Sequence, residues 1–270
     1  MLIGSQIFIH DNNKSTASSL DLPGTILSII GMVALVYGLV GEVGRRLSFI
    51  IAVIFIAGFI FREALAKHPM MPLRLFADRE RLGAYLSRFF YLASIMTFWY
   101  FTPQGMQRIL GFSPLTSAFM FIPLTVFNFF IALRVAPLTR RLGNTRLLFL
   151  GVGVSFIGML SMQLFRIWPN YLLGLAIPMI IIGIGQGLSL SPLTVAGVAN
   201  TDQSDSGAAS GVVNMIHQLG GAVGLALTVS VIGNLTPFSL QFNDANLIIA
   251  LLMLLSFIAA LIIPRKKINY

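Results

Sequence analysis

The chain has 270 residues, of which 56% are hydrophobic and 10% charged, with a mean hydropathy of +0.87. Apolar runs of membrane-crossing length recur from end to end, which excludes a water-soluble globular domain. The net charge of +9 would suit a nucleic-acid partner in a soluble protein. Here the basic residues sit in short loops between apolar runs, where they set orientation in a bilayer, so no nucleic acid is expected. No cysteine is present, which removes disulfide frameworks and thiolate metal sites.

Residues 1–21 read as the end of a preceding helix followed by a polar loop, and residues 1–9 are too short for a signal-peptide core. Asp21 is placed to cap a helix whose first turn tolerates Pro23. Spans are expected near 24–41, 47–64, 82–102, 114–135, 147–165, 170–193, 208–232 and 245–263, each close to the ~20 residues needed to cross. The expected fold is therefore an all-α polytopic membrane protein of about eight transmembrane helices. It divides into a helix pair over 22–66, an interfacial loop over 67–81 and a six-helix bundle over 82–270.

Pro114 and Pro169 mark helix starts, whereas Pro123 and Pro178 fall inside spans and are expected to kink them. The loop from His68 to Phe76 alternates apolar and basic groups and is expected to lie on the membrane surface. His68 has no neighbouring ligand, so no metal is expected there. The span from Asn246 to Ile263 is almost wholly Leu, Ile, Ala, Met and Phe. It reads as the lipid-facing helix and the poorest candidate for a site.

Placing the loop after Ile9 in the cytoplasm puts Lys14, Arg62, Lys67, Arg74, Arg79, Arg81, Arg134, Arg140, Arg141, Arg146 and Arg265–Lys267 inside, with Arg45, Arg46, Arg108 and Arg166 outside. That bias predicts a multi-pass protein of the cell (inner or plasma) membrane with a cytoplasmic C-terminus.

The most informative stretch is Gly207–Gly224. Gly207/Gly211 and Gly220/Gly224 are small-xxx-small pairs that let a neighbouring helix come close, and Gly183 and Gly187 flank Gln186 in the same way. Between the first two pairs stand Asn214, His217 and Gln218 on one helical face. Polar groups at that depth either bond to a neighbouring helix or line a water-filled cavity, and both readings stand. Arg88, near the start of the third span, is expected to snorkel to headgroups; meeting an anion at the inner end of a cavity is the alternative. Asn128 is a further deep polar group. The nine acidic residues all sit in loops or at span ends, which leaves His217 as the deep group able to carry a proton. A phosphate-binding Gly-x-x-x-x-Gly-Lys-[Ser/Thr], a His-Glu-x-x-His and a Gly-x-Ser-x-Gly are all missing from the sequence, which argues against an enzyme and against an ATP-driven pump within this chain.

These motifs, in their order, resemble the major facilitator superfamily, and within it the fourteen-span drug:proton antiporters of the EmrB/QacA branch. The matching stretches are Leu20–Gly24 with Leu35–Leu39, His68–Phe76, Gln107–Leu115, Ser191–Thr194, and Gly207–Gly211 with Asn214 and Gln218–Gly224. The resemblance implies that 22–66 is the linker helix pair and 82–270 the C-terminal bundle of a larger transporter whose first six-helix bundle is missing. It also implies proton-driven efflux of lipophilic or cationic compounds, powered by the proton gradient without a cofactor, with the lipid bilayer and the missing half, or another membrane subunit, as partners. The substrate-cavity candidates are then Asn128, Gln186, Asn214, His217, Gln218 and Arg88. The alternative is a truncated, non-transporting remnant or a protein that packs on another transporter. A cytoplasmic motif of the family, Asp-Arg-x-Gly-Arg-Arg/Lys, survives here as Arg141, Gly143 and Arg146, with Arg140 in place of the acid and Asn144 in place of an arginine.

Overall fold

A computed structural model describes residues 21–41, 43–66, 69–165 and 170–264. The expectations for residues 1–20, His68, Arg166 and the basic tail lie outside them. Among the described residues every regular element is helical.

Helix α1 (Leu22–Val40) starts where Asp21 accepts the Gly24 N–H at 3.1 Å, with proline in its first turn. Gly44, at φ +70°, turns the chain into α2 (Arg45–Leu65), and the two helices pack along each other. Asp78 then caps α3 (Arg79–Arg108), accepting the N–H groups of Glu80 and Arg81 at 3.0 Å each. At 30 residues, α3 is about 45 Å long, more than enough to cross a bilayer.

Among the described residues, seven helical stretches are long and apolar enough to span a membrane. The missing one of the eight expected is α3, whose buried Ser87, Arg88, Ser94, Thr97 and Thr102 lower its hydropathy. The reason is its position: α3 is the axis of the bundle, packed against α10 (Phe238–Ala260), α9 (Ser206–Ile232) and α8 (Ile177–Gly197), and so it meets little lipid.

The fourth span is broken. It runs as α4 (Pro114–Phe119) and α5 (Ile122–Ala132), followed by α6 (Val135–Leu142). Pro123 sits in the first turn of α5, where its absent N–H costs nothing, so it starts a helix rather than bending one. Tyr171 donates to the Met120 carbonyl at the break, 2.7 Å away. Pro178, by contrast, lies inside a continuous helix over Leu172–Gly197, as expected, directly after a π turn over Leu172–Ala176. Helix α7 (Asn144–Phe165) packs on both α8 and α10.

The core joins Tyr91, Leu92 and Phe98 of α3 to Leu124 of α5, Leu148, Val152 and Met159 of α7, Met179 and Ile182 of α8 and Met253 of α10. The opposite property marks the outside: Ile29, Val53, Phe61, Phe129, Phe130 and Leu164 are all exposed. Apolar surface of that extent has lipid as its solvent.

Two expectations change here. The loop before α3 does not simply lie on a surface: Leu75, in a 3-10 turn over Leu73–Phe76, is buried with Met71, Phe59, Tyr85, Val212 and Ile216. Nor is α10 wholly lipid-facing. Leu247, Leu251, Leu255 and Ile258 are exposed, but Ser256, Met253, Ile249 and Asn246 are buried, and Ser256 donates to the Ser87 carbonyl at 2.8 Å. A helix of nearly uniform hydrophobicity carries no periodic signal to say which face is which.

Candidate functional site

The site begins with two glycines. A β-carbon on Gly220 would overlap the Phe89 backbone, and one on Gly224 would overlap Ala93, so α9 lies directly against α3. One turn before Gly220, that contact brings His217 opposite Arg88. Arg88 Nη2 lies 3.1 Å from His217 Nδ1, and Arg88 Nη1 donates to Thr194 Oγ1 of α8 at 2.9 Å. Arg88 is 8% exposed. It does not snorkel, as the sequence suggested, because acceptors on α8 and α9 hold both of its terminal nitrogens where they stand. Its Nε is buried with no hydrogen-bond partner.

The rest of the α9 stripe faces outward. Gly207, Gly211, Asn214 and Gln218 are all exposed. Nothing stands within 4 Å of a β-carbon on Gly207 or Gly211, so among the described residues that first glycine pair makes no close helix contact. The spacing alone could not tell it from the second pair.

Asn128 and Gln186 come together elsewhere. Gly183 lets α8 approach the Leu124 carbonyl of α5, and a β-carbon on Gly187 would stand 3.0 Å from the Asn128 carbonyl oxygen. Beside this contact lies a cavity of about 760 Å³, lined in part by Asn128, Thr139, Arg140, Asn144, Gln186 and Ser191. Gln186 is buried in its wall, at 6% exposure. Arg140 and Asn144 were not expected there; their one signal in the sequence was that both depart from the family motif.

Of that motif, Arg141 and Arg146 are exposed. Gly143, at φ +82°, ends α6 in a backbone conformation that favours glycine. Asn144 opens α7 and donates to the Pro192 carbonyl of α8 at 3.0 Å. The turn therefore ties α6, α7 and α8 together at the cavity rim.

A polar clasp at the start of α3 and α9 had no counterpart in the sequence reading. Arg74 holds Asp205 through two bonds, Nε to Oδ2 at 2.8 Å and Nη2 to Oδ1 at 2.6 Å. Arg81, buried, donates to the carbonyls of Leu75, Ala199 and Asn200. The hydrogen bond and the charge of Asp205 raise the Arg74 pKa above its ordinary value. At Asp78, burial favours the neutral acid, but the Arg81 N–H, the Asn200 amide, the Arg81 charge and the Glu80 N–H outweigh it and lower the pKa.

A helical bundle wrapped in apolar side chains, with a polar cavity at Gln186 and a part-buried arginine–histidine contact between α3 and α9, defines a polytopic membrane protein. The chain belongs to the Major Facilitator Superfamily, whose description matches residues 13–225. It is a transporter family, not an enzyme family. Among curated relatives, the chain is 30% identical over 259 residues to the cephamycin export protein CmcT of Amycolatopsis lactamdurans, covering 91% of this chain and 53% of that protein. It is 30% identical over 240 residues to the puromycin resistance protein pur8 of Streptomyces alboniger, covering 84% and 47%. It is 25% identical over 233 residues to the multidrug efflux pump LfrA of Mycolicibacterium smegmatis, covering 84% and 46%. The chain thus spans about half the length of the curated relatives it matches.

Proposed function

We propose that this chain is the C-terminal part of a proton-driven exporter of lipophilic, often cationic compounds, in the fourteen-span drug:proton antiporter branch. In this reading α1 and α2 are the linker pair, and α3 to α10 form the second bundle, with its C-terminus in the cytoplasm. The outward stripe of Gly207, Gly211, Asn214 and Gln218 is the surface offered to the first bundle, and the cavity at Asn128 and Gln186 belongs to the substrate path. The names of the relatives, which speak of export, resistance and efflux, support this reading. In such transporters two bundles rock about a central site, opening it to each side in turn.

The observation that carries the proposal is the Arg88–His217 contact. A guanidinium has donors and no acceptor, so His217 Nδ1 must be the acceptor, and the ring proton sits on Nε2. A second proton on Nδ1 would remove that acceptor and set two cations side by side. Proton binding at His217 and the Arg88 contact are therefore mutually exclusive, which couples a proton to the relation between α3 and α9. The proton gradient is the energy source, and no cofactor is involved. His217→Ala combined with Asn214→Ala in the intact transporter tests the assignment. Drug efflux from cells should fall, and unchanged efflux at normal expression would remove both residues from the path.

A further inference from the structure

We propose that the bundle holds a second binding site, between α3, α7, the π turn and α10, for a small neutral molecule that is mostly apolar and carries one hydrogen-bonding group. A cavity of about 240 Å³ lies there, lined in part by Gly105, Leu110, Met162, Gly174, Phe242 and Asn246. It shares no lining residue with the Arg88–His217 contact or with the cavity at Gln186, and it does not depend on how either works.

Three features make it a built site. Asn246 is 4% exposed, and its Oδ1 is buried with no hydrogen-bond partner. A primary amide stranded among apolar side chains is costly, and helices seldom retain one without an occupant or a partner. Asn246 is one of the residues that line the cavity. Gly174 and Leu175 of the lining belong to the π turn over Leu172–Ala176, in which the Ile177 N–H reaches back to the Leu172 carbonyl. Such turns are rare, and they concentrate at functional sites because the extra residue widens a helix locally. Gly105 and Gly174 both line the cavity. A β-carbon at Gly105 would overlap the Phe242 ring, so the ring lies flush against the α3 backbone and closes one side.

The size and lining set the ligand class. Sites for drug-sized ligands run from roughly 300 to 1,000 Å³, so this cavity takes a smaller molecule. The lining offers apolar contact on most sides and one buried amide, Asn246, with both a donor and an acceptor, beside the half-buried Asn243 and Ser239. An alkyl phenol meets those demands, and thymol is the probe used here.

The chain has no cysteine, so one introduced thiol reports on one place. Ser239→Cys puts it on the cavity wall, and Ser48→Cys, at the start of α2, puts it remote from the cavity. Each variant of the full chain is placed in lipid nanodiscs, and maleimide labelling is timed with and without saturating thymol. Labelling at Ser239→Cys should slow at least fivefold while Ser48→Cys is unaffected. Adding Asn246→Ala, which removes the amide without adding bulk, should abolish the protection. An unchanged rate at Ser239→Cys would overturn the proposal. Equal slowing at both positions would mark mere partitioning into lipid and overturn it too. Full protection in the Asn246→Ala background would show that the amide is not the recognition group, and would overturn the site as argued.

Discussion

Arg88 of α3 donates to Nδ1 of His217 on α9 across 3.1 Å, and to Thr194 of α8 at 2.9 Å. One buried cation thereby ties together three helices. Removing the imidazole leaves a buried charge short of an acceptor. His217→Ala is therefore expected to cost about 1–3 kcal/mol of stability, read as a lower unfolding temperature in detergent. Arg88→Lys should lose nearly as much, because a single ammonium lacks the fork that reaches both acceptors.

The two glycine pairs of α9 make opposite predictions. At Gly224 a side chain would drive into Ala93. Gly224→Val should separate α9 from α3 at a cost of about 1–3 kcal/mol or more, with loss of a monodisperse peak on gel filtration. Gly211 faces open space, and Gly211→Ala should leave stability of the chain unchanged or slightly raised.

Ser256 donates to the Ser87 carbonyl at 2.8 Å, and the two hydroxyls are 3.1 Å apart, with neither residue exposed. Hydrogen bonds between membrane helices average about 0.6 kcal/mol and reach about 1.7. Ser256→Ala should fall inside that range in a thermal or chemical unfolding assay. A larger loss would mean that the pair also fills space that alanine cannot.

The clasp at the start of α3 gives a pH dependence with a defined sign. Asp78 has a lowered pKa in the folded chain, so its contribution is fully present above the unfolded value of about 3.9. It is lost as the pH falls through the lower folded value. Melting temperature should therefore be insensitive to Asp78 between pH 7 and 5 and should drop in stronger acid. Asp78→Asn, which keeps a capping oxygen, should flatten that acid limb.

Much of the architecture is legible in the sequence, and the reasons for the rest are physical. Hydropathy places α1, α2, α7 and α9 within a few residues of their observed ends, because lipid demands an uninterrupted apolar run and Asp21 and Gly44 punctuate it. It understates α3, which owes its place to packing against other helices rather than to lipid. It also misreads Pro123, since proline starts a helix as readily as it bends one and only the neighbouring backbone decides between them. The candidate site is half legible. The spacing of Asn214, His217 and Gln218 puts them along one helix, but which of them turns inward depends on the Gly220 and Gly224 contacts with α3. The Arg74–Asp205 pair joins residues 131 apart in the chain, and no local pattern announces it.

Proton counterflow in proteoliposomes tests the central claim most directly. The intact transporter is reconstituted without an imposed gradient, a lipophilic cation such as ethidium is added on one side, and pH is followed on both. Ethidium movement should drive protons the opposite way in the wild type, and both fluxes should fall at least tenfold with His217→Ala at equal incorporation. Ethidium movement without proton movement, or undiminished exchange in His217→Ala, would contradict the account.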